Sequence, residues 1–94
     1  RHFRIFGKCQ QHSVPLSGNT ITLGRSASNT VVLDDEFVSS HHARVYTDPA
    51  TGKWAIEDLG STNGTVVNQQ RLNAPMILGS RVPVRIGATT FELR

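Results

Sequence analysis

The sequence predicts an all-β fold, an antiparallel β-sandwich made of many short strands. Three observations lead there. Short runs that alternate polar and apolar residues, or are rich in β-branched ones, recur along the chain. Gly, Asn, Asp and Pro separate these runs at close intervals. No window holds an apolar stripe at helical period over a useful length.

His2-Phe3-Arg4-Ile5-Phe6 alternates, and Gly7 breaks it. His12 to Leu16 makes a second run, and Pro15 within it suits a strand at a sheet edge. Thr20-Ile21-Thr22-Leu23 alternates, Thr30-Val31-Val32-Leu33 is β-branched, and Ala43-Arg44-Val45-Tyr46 alternates again. Asp48-Pro49-Ala50-Thr51-Gly52 is a turn cluster leading into Trp54-Ala55-Ile56-Glu57. The stretch Asp58-Leu59-Gly60-Ser61-Thr62-Asn63-Gly64-Thr65 follows, then Thr65-Val66-Val67-Asn68. Asn-Gly between two apolar runs is a hairpin signal, so this stretch is expected to close a hairpin. Val82-Pro83-Val84-Arg85-Ile86 and Thr90-Phe91-Glu92-Leu93 finish the chain around Gly87.

Ninety-four residues hold one core and therefore one domain, residues 1–94. The chain begins at Arg1, which implies a piece excised from a longer protein. No apolar stretch is long enough to cross a bilayer, and no signal-peptide pattern is present. A single cysteine, Cys9, allows no internal disulfide and argues for an intracellular, cytoplasmic setting. Cys9 itself is expected to half-pack on or near a strand. The formal charge is +3, but the Lys and Arg residues are scattered and form no stripe. Nucleic acid is therefore not an expected partner. A smaller anionic partner, met by one or two placed arginines, fits better.

Three loops could carry chemistry. In Gly24-Arg25-Ser26, glycine permits a sharp turn and Arg25 presents a planar fork of donors. Val38-Ser39-Ser40-His41-His42-Ala43 sets two hydroxyls and two imidazoles side by side. A nucleophilic serine would need an imidazole in reach and a carboxylate behind it. In an extended segment Ser39 and His42 would point to opposite faces, and no Gly-x-Ser-x-Gly elbow is present. Adjacent histidines diverge on a strand, and nothing supplies the remaining ligands of a metal site. His42 reads best as a buried, hydrogen-bonded brace. The third loop is Asp58 to Thr65, whose small residues can converge N–H groups on an anion. It lacks the Lys of a Walker A loop, and Asn63-Gly64-Thr65 as a glycosylation triplet is discounted.

Together the loops share one chemistry. A guanidinium, hydroxyls and clustered N–H groups suit a phosphate monoester. No base stands ready to attack it, so the expectation is a binding site without catalysis, metal or cofactor.

The spacing of Gly24-Arg25, Val38-Ser39-x-x-His42-Ala43, Asp58-Leu59-Gly60-Ser61-Thr62-Asn63-Gly64-Thr65-x-Val67-Asn68 and Ile86-Gly87 resembles the forkhead-associated (FHA) domain over almost the whole chain. The resemblance implies an FHA/SMAD-like sandwich of roughly eleven strands with binding loops at one end. It implies a module that binds phosphothreonine in a partner within Ser/Thr kinase signalling. Arg25 would pair with the phosphate, Ser39 would donate to it, and Thr62 would contact the phosphothreonine. Asn63 would hold the peptide backbone just past that residue. Gly24, His42 and Gly64 would shape and brace the loops.

Ser40 departs from similar domains, which often place Arg, Lys or Asn there. It keeps one donor for the phosphate but brings no charge, leaving His41 or Arg44 to compensate. Phe37 stands near where family members select the residue third after the phosphothreonine, which implies an apolar preference. The implied partner is a threonine-phosphorylated protein: a Ser/Thr kinase, its substrate, or the same chain in cis. The overall flavour is similar to actinobacterial FHA proteins, some of which are tethered to the membrane on its cytoplasmic side. This domain itself would make no membrane contact. The alternative is a phospho-independent assembly module on the same fold.

Overall fold

The alternation read along the sequence becomes strand faces. A computed structural model describes residues 2–6, 11–15 and 18–94, with Gln11 and His12 described by backbone alone. The readings of Gly7, Cys9 and Leu16 lie outside these residues. Eleven strands follow in order: β1 (His2–Phe6), β2 (Gln11–Pro15), β3 (Thr20–Gly24), β4 (Val31–Val32), β5 (Ala43–Thr47) and β6 (Trp54–Asp58); then β7 (Thr65–Val67), β8 (Gln70–Arg71), β9 (Met76–Ile77), β10 (Val84–Ile86) and β11 (Thr89–Leu93).

They form two sheets, ordered β2-β1-β11-β10-β7-β8 and β4-β3-β5-β6-β9. Every strand pairing is antiparallel except the short parallel contact of β3 with β4. Alternate residues meet between the sheets. Phe3 and Ile5 of β1, Ile21 and Leu23 of β3, Val45 of β5, Val84 and Ile86 of β10, and Phe91 and Leu93 of β11 are all buried. Phe3 and Phe91 pack edge to face, their centroids 5.1 Å apart. Pro15, which cannot donate to a ladder, sits on edge strand β2.

One expectation is corrected. The stretch from Asp58 to Thr65 does not close a hairpin. β6 pairs with β5 and β9, whereas β7 pairs with β10 and β8. The loop therefore crosses from one sheet to the other. Short Asn-Gly hairpins need both flanking strands in one sheet, and the core here divides these two. The tight turn instead follows β7, where Asn68 and Gln69 have φ of 49° and 71°. That is the left-handed pair a two-residue hairpin between β7 and β8 requires. The same crossing places the Asp58–Thr65 loop at one end of the sandwich, beside the loops after β3 and before β5.

Candidate phosphopeptide site

Gly24 is the last residue of β3, and the space beside it is closed. A Cβ there would lie 2.2 Å from the Ser40 carbonyl oxygen and 2.7 Å from Asn29 Nδ2. The close approach lets the Arg25 N–H donate to Ser39 O (3.0 Å) and the Ser26 N–H donate to Ser40 O (3.2 Å). Asn29, buried, completes the seam. Its Nδ2 donates to Ser26 O (2.9 Å) and to Ser40 O (2.6 Å). The loop bearing Arg25 is thus sewn to the loop bearing Ser39 and Ser40. Gly24→Ala is expected to push these loops apart and cost about 1–3 kcal/mol. A thermal melt of the variant matching that of the native chain would overturn this.

The segment Val38–His42 is not extended. It bends, and His42 turns back into the protein with no exposed surface. Its Nδ1 accepts the Ser39 N–H at 3.1 Å. An acceptor Nδ1 carries no proton, so Nε2 is the protonated nitrogen and donates to Gly64 O at 2.8 Å. One ring therefore staples the Ser39 loop to the Gly64 loop. The Ser39 hydroxyl does not meet this ring. It accepts the Thr62 N–H at 3.1 Å, a second tie between the same two loops. Asn63 adds a third, its Nδ2 donating to Phe37 O at 2.8 Å.

The Asp58–Thr65 loop holds its shape around one carboxylate. Asp58 Oδ2 accepts the N–H groups of Gly60 (3.0 Å) and Ser61 (2.9 Å). Its Oδ1 accepts the hydroxyls of Ser61 and buried Thr65. The Ser61 hydroxyl in turn accepts the Gly64 N–H at 2.9 Å. Gly64 has φ +85°, and a Cβ there would strike the Arg71 side chain. Partial burial works to raise the Asp58 carboxyl, but the Ser61 and Thr65 hydroxyls and the Ser61 and Gly60 N–H groups outweigh it. The net shift is downward from the ordinary 3.8. A carboxyl lowered by folding stabilises the fold above its unfolded value, and that contribution is lost as pH falls through the lower folded value. Asp58→Asn is thus expected to flatten the loss of melting temperature below about pH 4. An unchanged acid slope would contradict the assignment.

Each residue marked in the sequence can now be placed. Arg25, Ser39, Ser40, Thr62 and Asn63 come together at one end of the sandwich, with Gly24, His42 and Gly64 beneath them. Arg25, Ser40, Thr62 and Asn63 are exposed, and Ser39 is half-buried. The Arg25 guanidinium meets no carboxylate among the described residues. Arg44 is engaged elsewhere, ion-paired with Glu57 and stacked 4.3 Å from the Tyr46 ring centroid. It is not the residue that offsets the missing charge at Ser40. His41 is exposed, and its Nε2 lies 3.0 Å from the Ser28 hydroxyl on the Arg25 loop. Phe37 is half-exposed beside Asn63.

The sequence reading missed Asn29 and Asp35. Asp35 stood in a run of acids that looks like solvated surface, yet it is 5% exposed. It accepts the N–H groups of Phe37 (2.9 Å) and Ala88 (2.8 Å) and the Thr89 hydroxyl (2.9 Å). It thereby pins the Phe37 loop to the β10–β11 turn. The Asp58-x-Gly-Ser pattern carried a signal for its own turn, because aspartate readily accepts from N–H groups two residues on.

Among the described residues no cluster of three or more His, Cys, Asp or Glu could hold a metal ion. No helix there is long and apolar enough to cross a membrane.

A family model for the FHA domain matches residues 21–87. FHA domain-containing protein FhaB of Mycolicibacterium smegmatis is 38% identical over 81 residues, covering 86% of this chain and 51% of that protein. The chain thus spans about half the length of this mycobacterial relative. The structure of Mycobacterium tuberculosis EmbR in complex with a low-affinity phosphopeptide superposes with a TM-score of 0.84 at 28% identity. The match covers 97% of this chain and 24% of that one. The FHA domain of CT664 from Chlamydia trachomatis gives a TM-score of 0.78 at 26% identity, over 98% of this chain and 95% of that one. The two-sheet topology, the three tied loops and the family match agree, and the chain belongs to the FHA domain family.

Proposed function

We propose that this domain binds a phosphothreonine-containing segment of a partner protein at the end formed by the loops of Arg25, Ser39 and Thr62. One observation carries the reading. An unpaired guanidinium stands on a loop whose backbone is bonded to the Ser39 loop, and the Ser39 loop is bonded to Thr62 and Asn63. The donors a phosphate needs are therefore gathered before any ligand arrives, which lowers the ordering cost of binding. Arg25 supplies the charge, Ser39, Ser40 and Thr62 supply hydroxyls, and Asn63 offers its amide oxygen to the peptide backbone. The family relative EmbR, seen with a phosphopeptide, supports this choice of ligand.

The domain is a binder and not an enzyme in this reading. A serine nucleophile needs its hydroxyl on the imidazole, but Ser39 Oγ is bonded to the Thr62 N–H. His42 spends both ring nitrogens on backbone groups. The partner is a threonine-phosphorylated protein in Ser/Thr kinase signalling, in trans or in the same chain, and the setting is cytoplasmic.

Calorimetry with three matched peptides bearing Thr, phosphothreonine or phosphoserine tests the proposal. Binding confined to the phosphothreonine peptide is expected. Equal binding of all three would favour the phospho-independent alternative. That alternative has its own observation, the exposed Met76 and Ile77 on edge strand β9.

A further inference from the structure

Beside Asn63 the surface opens into a groove of about 430 Å³, lined by Phe37, Asn63, Gly64, Val66, Arg85 and the Gly87-Ala88 turn. Its floor is set by strand register. Val66 of β7 stands opposite Arg85 of β10 on one side and opposite Arg71 of β8 on the other. Directly opposed residues share a face, so both arginines flank Val66 on the outer face of the sheet. Two strand spacings separate them at the backbone, about 10 Å.

Both arginines are exposed, and neither meets a carboxylate among the described residues. Arg85 is oriented, its Nε donating to Gly87 O at 3.2 Å. The Arg71 side chain lies over Gly64, where a Cβ would stand 2.5 Å from its Nε. The groove is therefore apolar at Val66, Phe37 and Ala88 and cationic at Arg85, with Arg71 alongside. Arg44 and Arg94, away from this groove, are neutralised by Glu57 and Glu92.

We infer that this groove receives the residues following the phosphothreonine and selects acidic side chains there, with Arg85 and Arg71 as the selecting residues. The inference rests on the phosphothreonine reading above. Asn63 borders both the phosphate loops and the groove, so a peptide held there by its backbone runs on into the groove. A glutamate suits the lining. Its methylenes cover Val66 and Phe37 while its carboxylate reaches a guanidinium fork. An apolar side chain would use the floor but leave the cations unmatched. A lysine would meet two like charges.

The test uses two phosphothreonine peptides that differ only in having Glu or Gln at the positions after the phosphothreonine, with an unphosphorylated Glu peptide as control. Calorimetry on the native chain is expected to show the Glu peptide bound about fivefold tighter than the Gln peptide. Arg85→Gln and Arg71→Gln, both on an exposed face, are each expected to weaken the Glu peptide about threefold and leave the Gln peptide unchanged. Equal affinity for the two phosphopeptides would overturn the inference while leaving the phosphothreonine reading in place. Equal weakening of both peptides by Arg85→Gln would also overturn it, since the arginine would then act on the phosphate. Binding of neither phosphopeptide would overturn both readings.

Discussion

Arg25→Ala is expected to weaken binding of a phosphothreonine peptide by about 2–5 kcal/mol, a loss of thirtyfold or more. The guanidinium makes no ion pair in the free domain, so its removal breaks no internal contact of that kind. The N–H of residue 25 still donates to Ser39 O after the substitution, because that bond belongs to the backbone. The melting temperature should therefore move little while affinity falls. Arg25→Lys separates charge from shape. Lysine keeps the charge but loses the planar fork, so an intermediate affinity is expected. Calorimetry of the native chain and both variants against one phosphopeptide decides it. An Arg25→Ala affinity within twofold of native would remove Arg25 from the site. The effect is expected to be large here because Ser40 adds no second charge.

How much of this was legible beforehand follows from the kind of interaction involved. Alternation is local, so strands such as His2–Phe6 and Thr20–Gly24 could be read directly from their side-chain pattern. β8 and β9 could not. Each is two residues long, and their members are exposed, leaving no alternating face to detect. The Asn63-Gly64 signal was real as a turn and wrong as a hairpin, because sheet membership is decided by long-range pairing that no short window contains. The candidate site residues were legible through their chemistry. Their supports were less so. Asn29 and Asp35 act through carbonyls and N–H groups far along the chain, at Ser40 and Ala88, and nothing near them in sequence names those partners. The free arginines at Val66 were likewise invisible until the register of β7, β8 and β10 placed them together.

His42 carries the other large expectation. His42→Ala is expected to cost about 3–5 kcal/mol of stability. The ring has no exposed surface, so truncation leaves a cavity within the packed interior. It also strands two backbone groups, the Ser39 N–H and the Gly64 carbonyl, which lose their only printed partner at 3.1 and 2.8 Å. Those two groups sit on separate loops, so one substitution releases the Ser39 loop from the Gly64 loop. The ties that remain, from Thr62 to Ser39 Oγ and from Asn63 to Phe37 O, involve exposed residues. They hold less firmly because water competes for them. Phosphopeptide affinity should therefore fall even at temperatures where the variant stays folded, because the ligand must now order the loops itself. His42→Asn can restore an acceptor near Nδ1, and His42→Gln can restore a donor near Nε2, but neither amide spans both. Each is expected to recover part of the stability lost in His42→Ala. Thermal melts of the three variants, with calorimetry below the lowest melting temperature, test both halves. Native-like stability in His42→Ala would mean that the loops hold together without the ring, and the case for a site assembled before its ligand arrives would fail with it.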